Sequence, residues 1–326
     1  MSISKLLRLF SYNIIVVILL FLFSEIFTRI FFNDIQTVGT SKNLLTDSLY
    51  YDSPGLVRDS KGSSNGITKS VNSFGFWKYS NERIRKRRIL YLGDSVTMGV
   101  GVESDSTFAG IINNRFDSLT IFNPSLIGYS HVDYYNIIRS LMNDQKNQLK
   151  ISEVYLFWCL NDLYSTHPNL DSPELQSNGI IFNVINFFRT QSKFYHLLKN
   201  LFFDRPESYY LYDSQFYVSS NTYFENAINS IKQINNILVD MNINFTIILL
   251  PYEYQMRPGF ESHKTPQNLL IQKFLENDIN VYDFTPNLKV IDLGEKDLYL
   301  YGDGIHFSKF GNKIIARILT DILRKP

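Results

Sequence analysis

Four short stretches place polar residues directly after apolar runs. They are Gly93-Asp94-Ser95 after ILYL, Asn123 and Gly128 in NPSLIGYS, Asn161-Asp162 after VYLFWCL, and Asp303 with His306 in YGDGIHFSKFG. A serine attacks an ester at neutral pH only when a base takes its proton. Histidine suits that role because its pKa lies near the working range, and a carboxylate orients the imidazole and stabilises its charged form. Asp303 and His306 are three residues apart and can share one side of a turn, with Ser95 arriving from the other end of the chain. The tetrahedral intermediate then needs hydrogen-bond donors. The backbone N–H groups of Ser95 and Gly128 and the side-chain amide of Asn161 are the candidates. Alone, GDS is ordinary punctuation between a strand and a helix.

Other reactive residue types read as structural. Asp94 is expected to fix the turn before Ser95 by buried hydrogen bonds rather than to act as an acid, and Asp162 to tie down its own loop. His131 reads as a surface residue at a helix start, and His167, His196 and His263 as weaker candidates for touching a substrate. The 5 histidines show no metal-binding spacing, so neither metal nor organic cofactor is expected. The single cysteine, Cys159, lies in an apolar run and reads as a small buried hydrophobe. GDSVTMGVG lacks the glycine order of a dinucleotide site and the lysine-serine pair of a phosphate loop, and no GxSxG elbow surrounds Ser95.

The elements that must position these residues alternate. Short apolar strands are expected at 89–92, 119–125, 154–162, 243–251 and 280–284. Helical patterns fall at 107–115, 131–146, 222–241, 265–277 and 308–323. Such alternation implies a parallel sheet covered by helices on both faces, with its sites at the strands' carboxyl ends. An excursion at about 163–221 contains a helix candidate at 180–200 and an aromatic stretch with Tyr209, Tyr210 and Tyr212. It reads as a lid or pocket wall, either binding sugar or packed as a structural flap.

Residues 14–23 read IIVVILLFLF, and from about 9 to 32 there is room for a membrane-spanning helix. Glu25 and Arg29 lie four apart near its distal end, where they can pair at headgroup level. Lys5 and Arg8 precede the span and no small-residue cleavage site follows, which favours an uncleaved anchor with a cytoplasmic N-terminus. The chain therefore divides into an anchor (1–33), a polar lead-in or linker (34–80) whose NSFGFW end is packed, and a catalytic domain (81–326). The domain is expected in the periplasm or outside the cell, with the lipid bilayer contacted through residues 9–32. A net charge of +1 speaks against a nucleic-acid partner, and the run RIRKRR at 83–88 reads as a solvated strand lead-in.

With these residues in hand, the chain resembles the SGNH hydrolases, also called the GDSL-type esterase/lipase family. LGDSVTMGVG, NPSLIGYS, CLND and DGIHFSKFG match four motifs in order. The resemblance implies Ser95 as nucleophile, Gly128 and Asn161 as oxyanion donors, and Asp303 and His306 as the rest of the triad. Cys159 departs from the family's usual glycine in the third motif, and so bears on the floor of the site. The implied fold is a three-layer α/β/α sandwich with a flavodoxin-like parallel sheet. The implied activity is hydrolysis of O-acyl, chiefly O-acetyl, esters on an extracytoplasmic carbohydrate or another small ester. Acyl transfer to a cell-surface glycan with the same triad, and a non-catalytic binding protein, stand as alternatives.

Overall fold

A computed structural model of the chain describes residues 3–32, 35, 41–143, 149–164, 179–259, 265–289 and 298–324. Helix α1 (Ile3–Phe31) opens the fold, and its segment Leu7–Phe31 has a mean hydropathy of 2.4 and the length needed to cross a bilayer. Most of α1 stands clear of the domain, but its last turns dock. Two hairpins follow, β1 (Leu45–Tyr50) with β2 (Ser53–Leu56) and β3 (Lys61–Ser64) with β4 (Ile67–Ser70).

The described part of the 34–80 segment lies packed against the domain, as a lead-in and not as a free linker. Leu44, Tyr50, Leu56, Val71, Phe76, Trp77 and Tyr79 are all buried in the main core, and the Trp77 indole N–H donates to the Ser125 carbonyl at 2.8 Å. The hairpins pair through backbone groups, which the Ser- and Gly-rich composition does not prevent. The packed NSFGFW end is as expected.

Lys69 of β4 is 2% exposed. Its ammonium donates to the Met98 carbonyl at 3.3 Å and stands 5.6 Å from the Trp77 ring centroid. Burial pulls its pKa down to about 7, against about 10.4 in an unfolded chain. Between those values the unfolded chain binds the extra proton, so stability rises with pH across that window. The thermal midpoint of the wild type is therefore expected to gain on that of Lys69→Met between pH 7 and about 9.5. Parallel pH dependences in the two proteins would show that the buried amine is not depressed.

The central sheet is built from β5 (Arg87–Leu92), β6 (Leu119–Phe122), β7 (Glu153–Trp158), β8 (Asn244–Leu249) and β9 (Asn280–Asp283). All pairs are parallel, in the order β6-β5-β7-β8-β9. The inner strands are buried along almost their whole length, which is why they read as continuous apolar runs. Counted along the sheet this is the flavodoxin-like order 2-1-3-4-5. The crossover helices α3 (Phe108–Arg115), α4 (His131–Asn143), α8 (Thr222–Asp240) and α10 (Thr265–Leu275) cover it. The terminal helix α12 (Lys309–Leu323) packs on α3, and α4 packs on α8. The fold is thus a three-layer α/β/α sandwich.

The basic run before β5 is held at the sheet's N-terminal edge rather than merely solvated. Arg87 forms a two-pronged pair with Glu153 (2.5 and 2.7 Å), and Arg88 donates to the Leu149 carbonyl at 2.8 Å. The expected helix at 180–200 is two helices, α5 (Ile180–Gln191) and α6 (Lys193–Phe202). They break at Ser192, whose hydroxyl accepts the Tyr195 N–H at 3.0 Å as a helix cap. A third helix, α7 (Arg205–Ser214), completes the described part of the excursion.

The end of α1 docks on α6. The Glu25 carboxylate accepts from the Ser192 hydroxyl (2.7 Å) and from the backbone N–H groups of Lys193 (3.1 Å) and Phe194 (2.9 Å). Arg29 donates to Glu25 at 2.7 Å, the pairing expected from their spacing, and to the Gln191 carbonyl at 2.6 Å. The Phe21 ring meets Phe188 and Phe194 edge-on at 5.4 and 5.7 Å.

Candidate active site

The chain leaves β5 toward β6 on one side and returns through β7 toward β8 on the other. The carboxyl ends of β5 and β7 therefore flank the topological switch point, where open α/β sheets bind ligands. Ser95 follows β5 and Asn161 follows β7.

Gly93 lets β5 turn sharply there. A Cβ on it would lie 2.0 Å from the Thr97 hydroxyl oxygen and 3.1 Å from the Phe157 carbonyl oxygen, so no larger residue fits without movement. Ser95 then opens the short helix α2 (Ser95–Met98). Asp94 caps it by accepting the Val96 N–H at 2.9 Å. The carboxylate of Asp94 also accepts from the Asn161 amide at 3.0 Å and approaches the Ser95 hydroxyl at 3.1 Å. It is fully buried and fixes the turn, as its sequence position suggests.

Asp303 and His306 lie on the loop before α12. The loop is pinned by the stacked rings of Tyr299 and Phe307 (4.9 Å), by the Tyr299 hydroxyl donating to the Pro251 carbonyl (2.7 Å), and by the Leu300 N–H donating to the His306 carbonyl (2.9 Å). One Asp303 oxygen accepts the backbone N–H groups of Ile305 (3.1 Å) and His306 (2.8 Å) and meets His306 Nδ1 at 2.7 Å. His306 Nε2 lies 2.8 Å from Ser95 Oγ. Serine, histidine and aspartate thus form one continuous hydrogen-bonded line, although Ser95 and His306 are 211 residues apart.

Electrostatics matches the geometry. Burial disfavours a charged imidazole at His306, but the charge and hydrogen bond of Asp303 outweigh it, with Asp94 adding to them, and hold its pKa above the ordinary histidine value. Burial likewise works against the Asp303 carboxylate, yet His306 and, more weakly, Arg205 bring it down to about 2. Asp303 is therefore ionised at neutral pH.

The other residues singled out in the sequence divide. Cys159 is buried, and the strand ends one residue before it. It opens a 3-10 turn (Leu160–Leu163), and its N–H donates to Asp162 at 2.8 Å. Burial, reinforced by Asp94 and Asp162, pushes the thiol far up, so it is a neutral packing group. Burial and the charge of Asp94 raise the Asp162 carboxyl well above the usual range. Asn161 stands on the 3-10 turn with its amide held between Asp94 and the hydroxyl of Tyr252, which is 3.0 Å from Asn161 Oδ1. Gly128 occupies an exposed turn after β6 with φ +83°, the left-handed region that favours glycine. Its neighbours Leu126 and Ile127 line the cavity in front of the triad.

His131 is not at the surface. It is 6% exposed, with Nδ1 2.8 Å from the Ser230 hydroxyl of α8, and burial depresses its pKa to about 4. The interface of α4 with α8 leaves no solvent on that side. His196 lines the cavity, whereas His167 and His263 lie outside the described residues. Of the three tyrosines in the excursion, Tyr209 lines the cavity. Tyr210 is buried and its ring packs against Tyr254, and Tyr212 packs against Phe216.

Sequence reasoning missed Tyr252 and Asp213. Tyr252 stands three residues past the end of β8, and its hydroxyl bridges Asn161 to the carboxylate of Asp213, 2.7 Å away on α7. The rule that named the other candidates, a polar group just past an apolar strand, also reaches Tyr252 when tyrosine is counted as polar.

The cavity has a volume of about 680 Å³. Its lining is apolar at Met98, Val100, Leu126, Ile127 and Ile305, and α5, α6 and the start of α7 contribute Arg189, Tyr195, His196, Lys199, Arg205 and Tyr209.

No family model and no curated protein matches the chain. Among solved structures, it is similar to a lipolytic protein of the G-D-S-L family from Veillonella parvula, with 14% identity, TM-score 0.45, and 74% of this chain and 100% of that one covered. It is also similar to the psychrotrophic esterase EstA from Pseudoalteromonas (13%, 0.43, 74% and 98%) and to the acetyl xylan esterase AlAXEase (13%, 0.42, 72% and 99%). Identities this low say nothing of substrate.

Proposed function

We propose that the chain is a serine ester hydrolase of the SGNH type, held to a membrane by α1 and acting on O-acyl groups of an extracytoplasmic carbohydrate or related ester. The observation that carries this reading is the line Ser95–His306–Asp303, with contacts of 2.8 and 2.7 Å. Neutral His306 takes the Ser95 proton as Oγ bonds to the acyl carbon, while Asp303 holds Nδ1–H and stabilises the imidazolium. The oxyanion is met by the Ser95 N–H, which has no intrahelical acceptor at the start of α2, by the Gly128 N–H and by the Asn161 amide. His306 returns the proton to the leaving alcohol as the C–O bond breaks. It then activates water, which releases the acid and restores Ser95. The reaction in this form uses only the chain's own groups.

An acyl group can face the apolar lining of Met98, Val100 and Leu126, and Tyr209 offers an aromatic surface to a sugar in the same cavity. Anchoring is supported by the length and hydropathy of α1, and Lys5 and Arg8 in its first turns, ahead of the apolar run at 14–23, favour an outward-facing domain. Reaction of the full chain with a fluorophosphonate probe tests the reading. Covalent labelling at Ser95, blocked by competing acetyl esters, is expected; absence of both labelling and ester turnover would overturn it.

Tyr252 acts as a positioning residue for Asn161. Tyr252→Phe removes a hydrogen bond worth about 1 kcal/mol and frees the amide to rotate, so kcat is expected to fall about fivefold with KM nearly unchanged. Steady-state kinetics check this, and an unaltered kcat would remove Tyr252 from the site.

A further inference from the structure

The part of the cavity lining that comes from the excursion is cationic. Arg189 of α5, Lys199 of α6 and Arg205 at the start of α7 all line it, beside His196. Among the described residues the carboxylate lining the same cavity is Asp303, which is engaged by His306 and also faces Arg205. Elsewhere in the molecule Arg29, Lys78, Arg87, Arg257 and Lys273 are ion-paired. Among the described residues, none of the three cavity cations is. Arg205 donates once, to the Tyr209 hydroxyl at 2.7 Å, with its guanidinium 5.4 Å from that ring. A guanidinium has five N–H donors, so most of its capacity points elsewhere. The three charges also feel one another: burial first, and then Arg205 and Arg189, lower the pKa of Lys199.

Three like charges on one wall repel, and an anion between them relieves that repulsion. The fork of an arginine matches carboxylate and phosphate oxygens two at a time. We infer that the substrate is an ester whose alcohol portion bears a carboxylate or phosphate, gripped by Arg189, Lys199 and Arg205 while the acyl group faces Met98, Val100 and Leu126. This rests on the hydrolase reading and adds to it the charge of the leaving group. As the acyl C–O bond breaks, His306 delivers its proton to the alcohol oxygen, so the departing molecule keeps only the anionic group that the cationic wall recognises.

Matched substrates test this on the full chain in neutral detergent. Acetylated glucuronate is compared with acetylated glucuronamide, and acetylglycerol phosphate with acetylglycerol; the two pairs separate carboxylate from phosphate. The wild type is expected to prefer the anionic member of at least one pair by about tenfold or more in kcat/KM, with the ratio falling as salt rises. In the double variant Arg189→Gln/Lys199→Gln the ratio is expected to collapse toward one. A wild-type ratio near one for both pairs, or a ratio that survives the double substitution, would overturn the inference. Should no ester be turned over, the hydrolase reading fails by itself, and binding decides the remainder. Calorimetric binding of glucuronate or inorganic phosphate to the wild type, lost in the double variant, upholds the cationic site. Binding to neither protein, or equally to both, sinks it.

Discussion

Ser95→Ala is expected to lower ester hydrolysis by about four orders of magnitude or more. On the proposed mechanism the substitution removes the atom that forms the acyl bond and little else, because among the described residues Ser95 Oγ hydrogen-bonds with Asp94 and His306. Asp94 keeps the Val96 N–H and the Asn161 amide, so the turn survives and the thermal midpoint should barely move. The size of the loss follows from the unit character of the triad: with the nucleophile gone, His306 and Asp303 have no proton to manage, and only oxyanion stabilisation and binding remain. Turnover within about tenfold of the wild type, at an unchanged thermal midpoint, would place the chemistry elsewhere.

Asp303→Asn is expected to cost about 10³- to 10⁴-fold in kcat. The asparagine oxygen can still accept the N–H groups of Ile305 and His306, so the loop keeps its shape while the charge disappears. Asp303 is the main reason that His306 titrates above the ordinary histidine value. The wild-type rate needs neutral His306, and should therefore rise with pH through a midpoint above about 6.5. In Asp303→Asn the residual rate should show that midpoint shifted down, since burial then acts on the imidazole without its counter-charge. A pH–rate profile of both proteins checks the two parts separately: the loss at the plateau and the movement of the limb. An unmoved limb would show that Asp303 does not set the proton affinity of the base.

Local order made much of this molecule legible from its residues. ILYL, VYLFW and TIILL are apolar without interruption because they lie between two helical layers, and their alternation with amphipathic stretches leaves few topologies. The polar groups just past them had to gather along one sheet edge, so Ser95, Asn161, Asp303 and His306 were legible before any geometry. What stayed hidden was non-local. Tyr252 is one of 21 tyrosines; its place just past β8 is a signal only when tyrosine is counted as polar, and its approach to Asn161 and Asp213 is what gives it a task. The hairpins at 45–70 carry linker-like Ser and Gly, since backbone pairing needs no apolar signature. His131 stands at a helix start, where exposure is the usual outcome, and only the approach of α8 buries it. Arg189, Lys199 and Arg205 lie on three different helices, and their sharing of one wall depends on the break at Ser192.

That break has a mechanical consequence. The N-terminus of α6 is closed by Glu25, a residue of the apolar helix itself, so α1 braces the helix that brings His196 and Lys199 to the cavity. On the proposed anchoring of α1 in a bilayer, a domain braced in this way would keep its cavity at one height above the membrane, and access to Ser95 would depend on that distance as well as on shape. Cutting the chain after α1 would free the domain and at the same time unseat the wall that carries His196 and Lys199. On the proposed reading, a fragment lacking α1 would therefore differ from the full chain in the part of the cavity lining that α6 supplies.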